Sequence, residues 1–146
     1  MNTNKFLVGG IIGGAANFLL GWLVWGMLLM NLIKEHTSEV GRAVMLKDAK
    51  GEDTMIIWSL IVANLFAGLF LSYVLNKASV NSAGSGASTG AVVGLLMSVT
   101  INLFNYSFMS MGDSTAMLLD IAANTVVTAI VGAIIGAYLG MGKKAA

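Results

Sequence analysis

A single acidic residue interrupts the most apolar part of this chain. Asp120 is the one charge in the run from Thr115 to Met141. If Asp113 or Ser114 caps a helix here, Asp120 lies about two turns inside it, ~9 Å by helical rise. A carboxyl group at such a depth in a membrane is costly and points by default to a function. The chemistry open to it is proton carriage, cation coordination, contact with a partner protein, or hydrogen bonding that holds helices together.

Asparagines supply potential partners for this carboxyl group. Asn124 follows it by one helical turn, Asn102 and Asn105 end the preceding apolar run, and Asn17 and Asn64 lie half-way along two earlier runs. An unpaired polar group in an apolar medium costs several kcal/mol, so Asp120 should face protein and hydrogen-bond at least one amide. We therefore predict an intramembrane polar layer made of Asp120, Asn124, Asn102, Asn105, Asn17 and Asn64.

The elements that must position these side chains follow from composition. Hydrophobic residues make up 57% of the 146 residues and charged residues 10%, whereas a soluble domain has about a quarter charged. Four apolar runs reach the ~20 residues that cross a bilayer. The chain is predicted to be an all-α membrane protein, a compact four-transmembrane-helix bundle forming a single integral membrane domain over 1–146. The spans are expected at about 6–33, 55–76, 83–108 and 115–141, with a polar loop at 34–54 that includes a short surface helix from about Ser38.

Small residues recur every four positions along each span. Because lipid gives helices no hydrophobic reason to associate, small residues that let backbones approach are expected at helix interfaces. The predicted packing glycines are Gly13, Gly21, Gly68, Gly90, Gly94, Gly132 and Gly136. These stripes exceed what four helices need to bury, which favours association with further copies or with other membrane proteins.

Aromatic residues mark the expected membrane boundaries. Trp22, Trp25 and Trp58 gather toward the end that carries the first and third loops. An indole ring is apolar but its N–H needs a polar partner, so tryptophans favour the interface between lipid and water. All three are predicted to be interface anchors.

Several function classes are disfavoured by residue content. The absence of cysteine excludes disulfides and thiolate sites, and His36 is the only imidazole. A net charge of +1 provides no basic patch for nucleic acid. One carboxylate among scattered amides makes neither an acid–base pair nor a metal set, so we expect a non-enzyme without cofactor or metal.

The distribution of charges predicts the orientation in the membrane. Lysine and arginine are tied at four on each side, but the side with both termini carries no acid, whereas the first loop carries five. Cytoplasmic termini are therefore predicted.

The segment Ala16–Trp22, with sequence Ala-Asn-Phe-Leu-Leu-Gly-Trp, resembles the opening motif of a family of small bacterial inner-membrane proteins of unknown function. The family also has an aspartate opening its last span, matched by Asp120. It often follows its tryptophan with an aromatic residue and a proline, where this chain has Leu23, Val24 and Trp25 and no proline. The resemblance implies a four-span fold in the inner membrane, with Asn17, Trp22 and Asp120 at family-type positions, and it implies no activity.

Two functional hypotheses remain open at this point. In the first, the protein is a non-enzymatic subunit that forms homo-oligomers or joins other membrane proteins. In the second, it is a small homo-oligomeric transporter or channel in which Asp120 and the asparagines handle a proton or a cation.

Overall fold

Four long helices dominate the computed structural model, which describes residues 3–43, 45, 47, 54–108 and 112–141. The predicted all-α four-helix bundle is confirmed. The helices, in chain order, are α1 (Thr3–Leu23), α2 (Met30–Glu35), α3 (Glu39–Ala43), α4 (Ile57–Lys77), α5 (Ala83–Phe108) and α6 (Ser114–Gly140), with a π-helical turn at Val24–Leu28.

Within these described ranges, four segments are long and apolar enough to cross a membrane: Thr3–Leu28, Ile57–Lys77, Ala83–Phe108 and Ser114–Gly140. The chain is thus a multi-pass membrane protein. The first span ends earlier than predicted, because the chain bends at Leu29 and the remaining apolar residues begin the separate helix α2. The uncharged run in the sequence indicated where the polar loop begins, but nothing in it indicated the bend at Leu29.

The bundle consists of two closely packed helix pairs. The most extensive contacts join α5 to α6 and α1 to α4, and α1 also packs on α6, while α4 and α5 touch each other little. Glycine makes the close approach possible within each pair. A Cβ atom at Gly132 would collide with the Gly86 carbonyl oxygen, and one at Gly68 would collide with the backbones of Gly10 and Gly14.

The predicted packing role holds for most of the glycines. Added Cβ atoms at Gly13, Gly90, Gly94 and Gly136 would each collide with a neighbouring helix or its connecting turn. Gly21 differs: among the described residues, the nearest atom to its added Cβ belongs to the Trp25 ring, at 3.9 Å. Each four-residue step turns the face by about 40° on a 3.6-residue helix, so Gly21 lies about 80° away from Gly13.

The apolar core occupies the end of the bundle that carries the chain termini. Its buried members are Leu71, Leu75, Val80, Val127, Val131, Ile135 and Leu139. Ser72 is also fully buried there, and its hydroxyl donates to the Phe6 carbonyl oxygen at 2.8 Å. Toward Asp120, the partly buried Val24 and Trp25 pack against this core.

The connections at the opposite end hold the polar half together. Asp113 caps α6, accepting a hydrogen bond from the Ala116 amide at 2.9 Å, and Ser38 caps α3 through the Gly41 amide at 3.0 Å. The predicted surface helix therefore exists. Thr37 pairs with Gly112 in an isolated antiparallel bridge, which ties the first loop to the turn between α5 and α6. The rest of the predicted polar loop, at 44, 46 and 48–53, lies outside the described residues.

Candidate functional site

Three N–H donors converge on the Asp120 carboxylate. Trp25 Nε1 donates to Oδ1 at 2.9 Å, while Asn102 Nδ2 and Asn124 Nδ2 donate to Oδ2 at 2.7 and 2.9 Å. The donors come from the π-helical turn, α5 and α6, so the carboxylate joins three of the four spans. The prediction that Asp120 faces protein and bonds an amide is confirmed for Asn102.

The two amides are oriented by their own helices. Asn102 Nδ2 also donates to the Ser98 carbonyl oxygen at 3.0 Å, and Asn124 Nδ2 also donates to the Asp120 carbonyl oxygen at 2.9 Å. Rotating either amide by 180° would place its oxygen against a backbone oxygen. The NH2 groups are therefore held toward Asp120, and the site is built around a side chain that only accepts hydrogen bonds.

Trp25 is the member of this cluster that the sequence-based prediction assigned elsewhere. It was predicted to be an interface anchor, but it is half-buried and its N–H bonds Asp120. The π-helical turn, closed by the Leu29 amide on the Val24 carbonyl oxygen at 2.8 Å, carries it. Such turns occur frequently at functional sites. One signal was available: Trp25 continues the four-residue series of Gly13, Asn17 and Gly21.

Trp22 and Trp58 remain compatible with anchoring. They are 62% and 70% exposed. Their anchoring role stays a prediction.

The six predicted polar residues form more than one group. Asn17 and Asn64 bond each other, from Nδ2 of Asn17 to Oδ1 of Asn64 at 2.7 Å, and link α1 to α4. Asn105 is exposed and, among the described residues, makes no hydrogen bond to the Asp120 cluster. Asn17 and Asn64 thus form a separate pair near the middle of their helices, whereas Asn105 lies close to the end of α5.

A cavity of about 470 Å³ adjoins the Asp120 cluster. Asp120, Asn102, Asn124 and Asn17 contribute polar lining, and most other lining side chains are apolar. Five of those lining side chains are exposed, namely Phe66, Ala67, Phe70, Met97 and Ile101. The cavity therefore opens on the outer surface of the bundle, between α4 and α5, the pair of neighbouring helices that touch least. We call it the lateral cavity.

A second cavity, of about 240 Å³, lies toward the loop end of the bundle. Its lining includes Thr37, Asn105, Tyr106 and Asp113, and we call it the loop-end vestibule. Asp120 and Asn102 line both cavities. The carboxylate is thus placed where a space near the loops meets a space that opens between α4 and α5.

The vestibule is bordered by a contact between two connections. Asp113 Oδ2 lies 2.7 Å from His36 Nδ1, and the Asp113 amide donates to the His36 carbonyl oxygen at 3.1 Å. The hydrogen bond from the Ala116 amide, and then that from His36, lowers the pKa of Asp113 below its ordinary value of 3.8. This pair fastens the first loop to the start of α6.

Within the described residues, no group of three or more histidine, cysteine, aspartate or glutamate side chains could hold a metal ion. The cluster offers a carboxylate whose N–H donors are held in place and which adjoins two cavities.

Comparisons of the chain with protein-family models, with curated proteins and with solved structures found no match.

Proposed function

We propose that this protein handles a cation within the membrane at Asp120, as a small homo-oligomeric transporter or channel. The observation that carries the proposal is the position of the Asp120 carboxylate at the junction of the loop-end vestibule and the lateral cavity. Ionisable groups inside membrane spans commonly mark ion or substrate pathways. A purely structural carboxylate would not need access to two cavities.

The hydrogen bonds around Asp120 suit this role. Both carboxylate oxygens accept N–H donors from Trp25, Asn102 and Asn124, which replaces part of the hydration that a charge loses in an apolar medium. Oδ1 accepts only one of these bonds and keeps capacity for a further positive partner. A homo-oligomer is part of the proposal because four spans are few for a monomeric carrier.

Flux through proteoliposomes tests the proposal. Vesicles with the protein should take up protons, sodium, potassium or an organic ammonium ion under an imposed gradient, and Asp120→Asn should abolish the flux that exceeds empty vesicles. Glu39→Gln on α3 is the matched acid-to-amide control and should retain it. If Asp120→Asn does not fold, Asp120→Glu keeps the charge and should retain part of the flux. Absence of protein-dependent flux for every cation tried, with folded wild-type protein, would overturn the proposal.

The cellular setting belongs to the same proposal. The resemblance of Ala16–Trp22 and Asp120 to a family of bacterial proteins supports the inner membrane, and the distribution of acids supports cytoplasmic termini. Reporter fusions after Met141 and within 34–54 test the orientation. Periplasmic reporter activity after Met141 would reverse it.

The second candidate function is an oligomerising or accessory subunit without transport activity. The open mouth between α4 and α5, with Phe66 66% exposed, favours it, since another helix could cover that mouth. The glycine stripes no longer favour it, because their closest contacts lie inside the bundle. Stoichiometry in mild detergent and co-purified proteins test this candidate, and a monomer without partners in native-membrane extracts would contradict it.

A further inference from the structure

The lateral cavity is much larger than a bare cation requires. Its volume of about 470 Å³ compares with about 30 Å³ for one water molecule and falls within the about 300–1,000 Å³ of sites for organic ligands. A site for a proton or a metal ion would need only a fraction of this space. The size therefore points to an organic molecule.

The walls of the cavity indicate the body of that molecule. Phe66, Phe70, Val93, Met97 and Ile101 contribute aromatic and aliphatic surface. Because the mouth lies between α4 and α5, a ligand with an apolar body can enter from the acyl-chain region without crossing the polar loops.

The polar end of the cavity indicates the head group. Among the described residues that line the cavity, Asp120 alone carries a charge. Both N–H bonds of Asn102 and of Asn124 are directed to oxygen acceptors, whereas the Oδ1 atoms of these amides accept no hydrogen bond from the described residues. No buried side-chain nitrogen or oxygen of the described residues lacks a partner, so these two oxygens reach open space.

The remaining capacity is thus mainly that of acceptors. The free acceptors are one position on Asp120 Oδ1 and the amide oxygens of Asn102, Asn124 and Asn17. The free donors are fewer, namely the Thr128 hydroxyl and one N–H of Asn17. Acceptors beside one negative charge match a head group with one positive charge and several N–H donors. An ammonium group meets both requirements.

We propose that the ligand of the lateral cavity is a protonated amine with an apolar body, bound with its ammonium group at Asp120, Asn102 and Asn124. This inference rests on the proposed handling of a cation at Asp120 and names the class of that cation. The amine enters from the lipid side, and its ammonium group takes the free position on Asp120.

Binding to the purified protein in mild detergent tests the inference. The probes are 2-phenylethylammonium, ethylammonium, and the neutral 2-phenylethanol. Trp25 fluorescence reports occupancy, because its indole N–H bonds the same carboxylate, and Trp22→Phe with Trp58→Phe removes the other two indoles. We expect 2-phenylethylammonium to bind at least about tenfold more tightly than either other probe, since only it carries both the charge and the ring.

Variants assign the binding to the cavity. Asp120→Asn should weaken 2-phenylethylammonium binding by about tenfold or more, the scale of a hydrogen bond to a charged group. Ala67→Trp places bulk in the cavity lining and leaves the Asp120 cluster intact, so it should also weaken binding. Ala63→Trp, one turn away on the same helix and outside the lining, is its matched control and should bind as the wild type does. Loss with Ala67→Trp and not with Ala63→Trp supports the inference even if Asp120→Asn fails to fold.

The outcomes separate this inference from the function on which it rests. Equal binding of the amine and 2-phenylethanol, or equal binding by Ala67→Trp and Ala63→Trp, would overturn the amine site. If vesicles then still show Asp120-dependent flux of protons or inorganic cations, the proposed function stands without it. If neither amine binding nor any cation flux depends on Asp120, both are overturned.

Discussion

At the scale of single residues, the decisive contact is the Trp25 N–H on the Asp120 carboxylate. Trp25→Phe removes this donor and keeps most of the ring. We expect the free energy of unfolding to fall by about 1.5–3 kcal/mol, the range for a hydrogen bond to a charged group. Trp22→Phe is the matched control and should change stability little, because Trp22 is exposed. Thermal unfolding in mild detergent measures both, and equal melting temperatures for the two variants would contradict the assigned role of Trp25.

The same geometry changes what Asp120→Asn means. An asparagine at this position offers one acceptor oxygen and an NH2 group where three donors now meet two oxygens. Since Asn102 and Asn124 cannot rotate without facing backbone oxygens, the amide is not a neutral replacement. Stability must therefore be measured beside every activity of this variant, and Asp120→Glu has to accompany it.

At the scale of helices, glycine decides how closely α5 and α6 approach. Gly132→Ala would push its Cβ against the Gly86 carbonyl oxygen, a backbone atom that cannot move without separating the helices. We expect a loss of about 1–3 kcal/mol in stability, as for other overpacked positions. Gly84→Ala on α5 is the control, since nothing lies within 4 Å of its Cβ. It should leave the melting temperature unchanged or raise it slightly, and a drop equal to that of Gly132→Ala would refute the packing argument.

The end of α4 provides a stabilising change. Ser79 has φ 57°, and the Val80 amide bonds the Leu75 carbonyl oxygen at 3.0 Å, the pattern of a Schellman motif. A left-handed conformation costs a residue with a Cβ about 1–2 kcal/mol, and glycine avoids that cost. Ser79→Gly should therefore raise stability by up to about 1 kcal/mol in thermal unfolding. The neighbouring Ala78→Gly, at a negative φ, should not.

The start of α6 should respond to acid. The pKa of Asp113 is lowered in the folded protein, first by the Ala116 amide and then by His36, so the ionised form favours folding. This contribution is fully present above the ordinary value of 3.8 and is lost as the pH falls through the lowered pKa. Asp113→Asn keeps a capping side chain without an ionisable group. The difference in free energy of unfolding between wild type and Asp113→Asn should shrink as the pH falls from 3.8 through the lowered pKa of Asp113. A difference that stays constant over these pH values would contradict the argument.

At the scale of the whole molecule, the loop-end vestibule should be reachable from water. The chain contains no cysteine, so single introduced thiols can be labelled without background. Asn105→Cys, in the vestibule lining, should react with a membrane-impermeant maleimide, since a thiolate forms readily only where water has access. Leu96→Cys, exposed on the side of α5 within the span, should react far more slowly. Equal labelling rates of the two variants in vesicles would show that the vestibule is closed to water.

Much of this architecture was readable from the amino-acid order. Runs of about 20 apolar residues dictate spans, because every backbone polar group in lipid must be bonded within a helix. The repeat of small residues along α5 and α6 identified Gly90, Gly94, Gly132 and Gly136, and the cost of a lone carboxyl in lipid predicted an amide beside Asp120. Each of these inferences depends on the spacing of residues along one helix or on the lipid environment, and both can be inferred from a sequence.

Tertiary structure alone decided the composition of the site. Which asparagine of α5 reaches Asp120 depends on the register and rotation of α5 against α6, so Asn102 bonds it and Asn105 does not. The four-residue series of Gly13, Asn17 and Gly21 includes Trp25, but the π-helical turn that carries its indole to the carboxylate is not indicated by that series. The lateral cavity exists because α4 and α5 touch so little, a consequence of how two tightly packed pairs meet. Contacts between distant segments are set by the packing of the whole bundle, and spacing along one helix does not contain them.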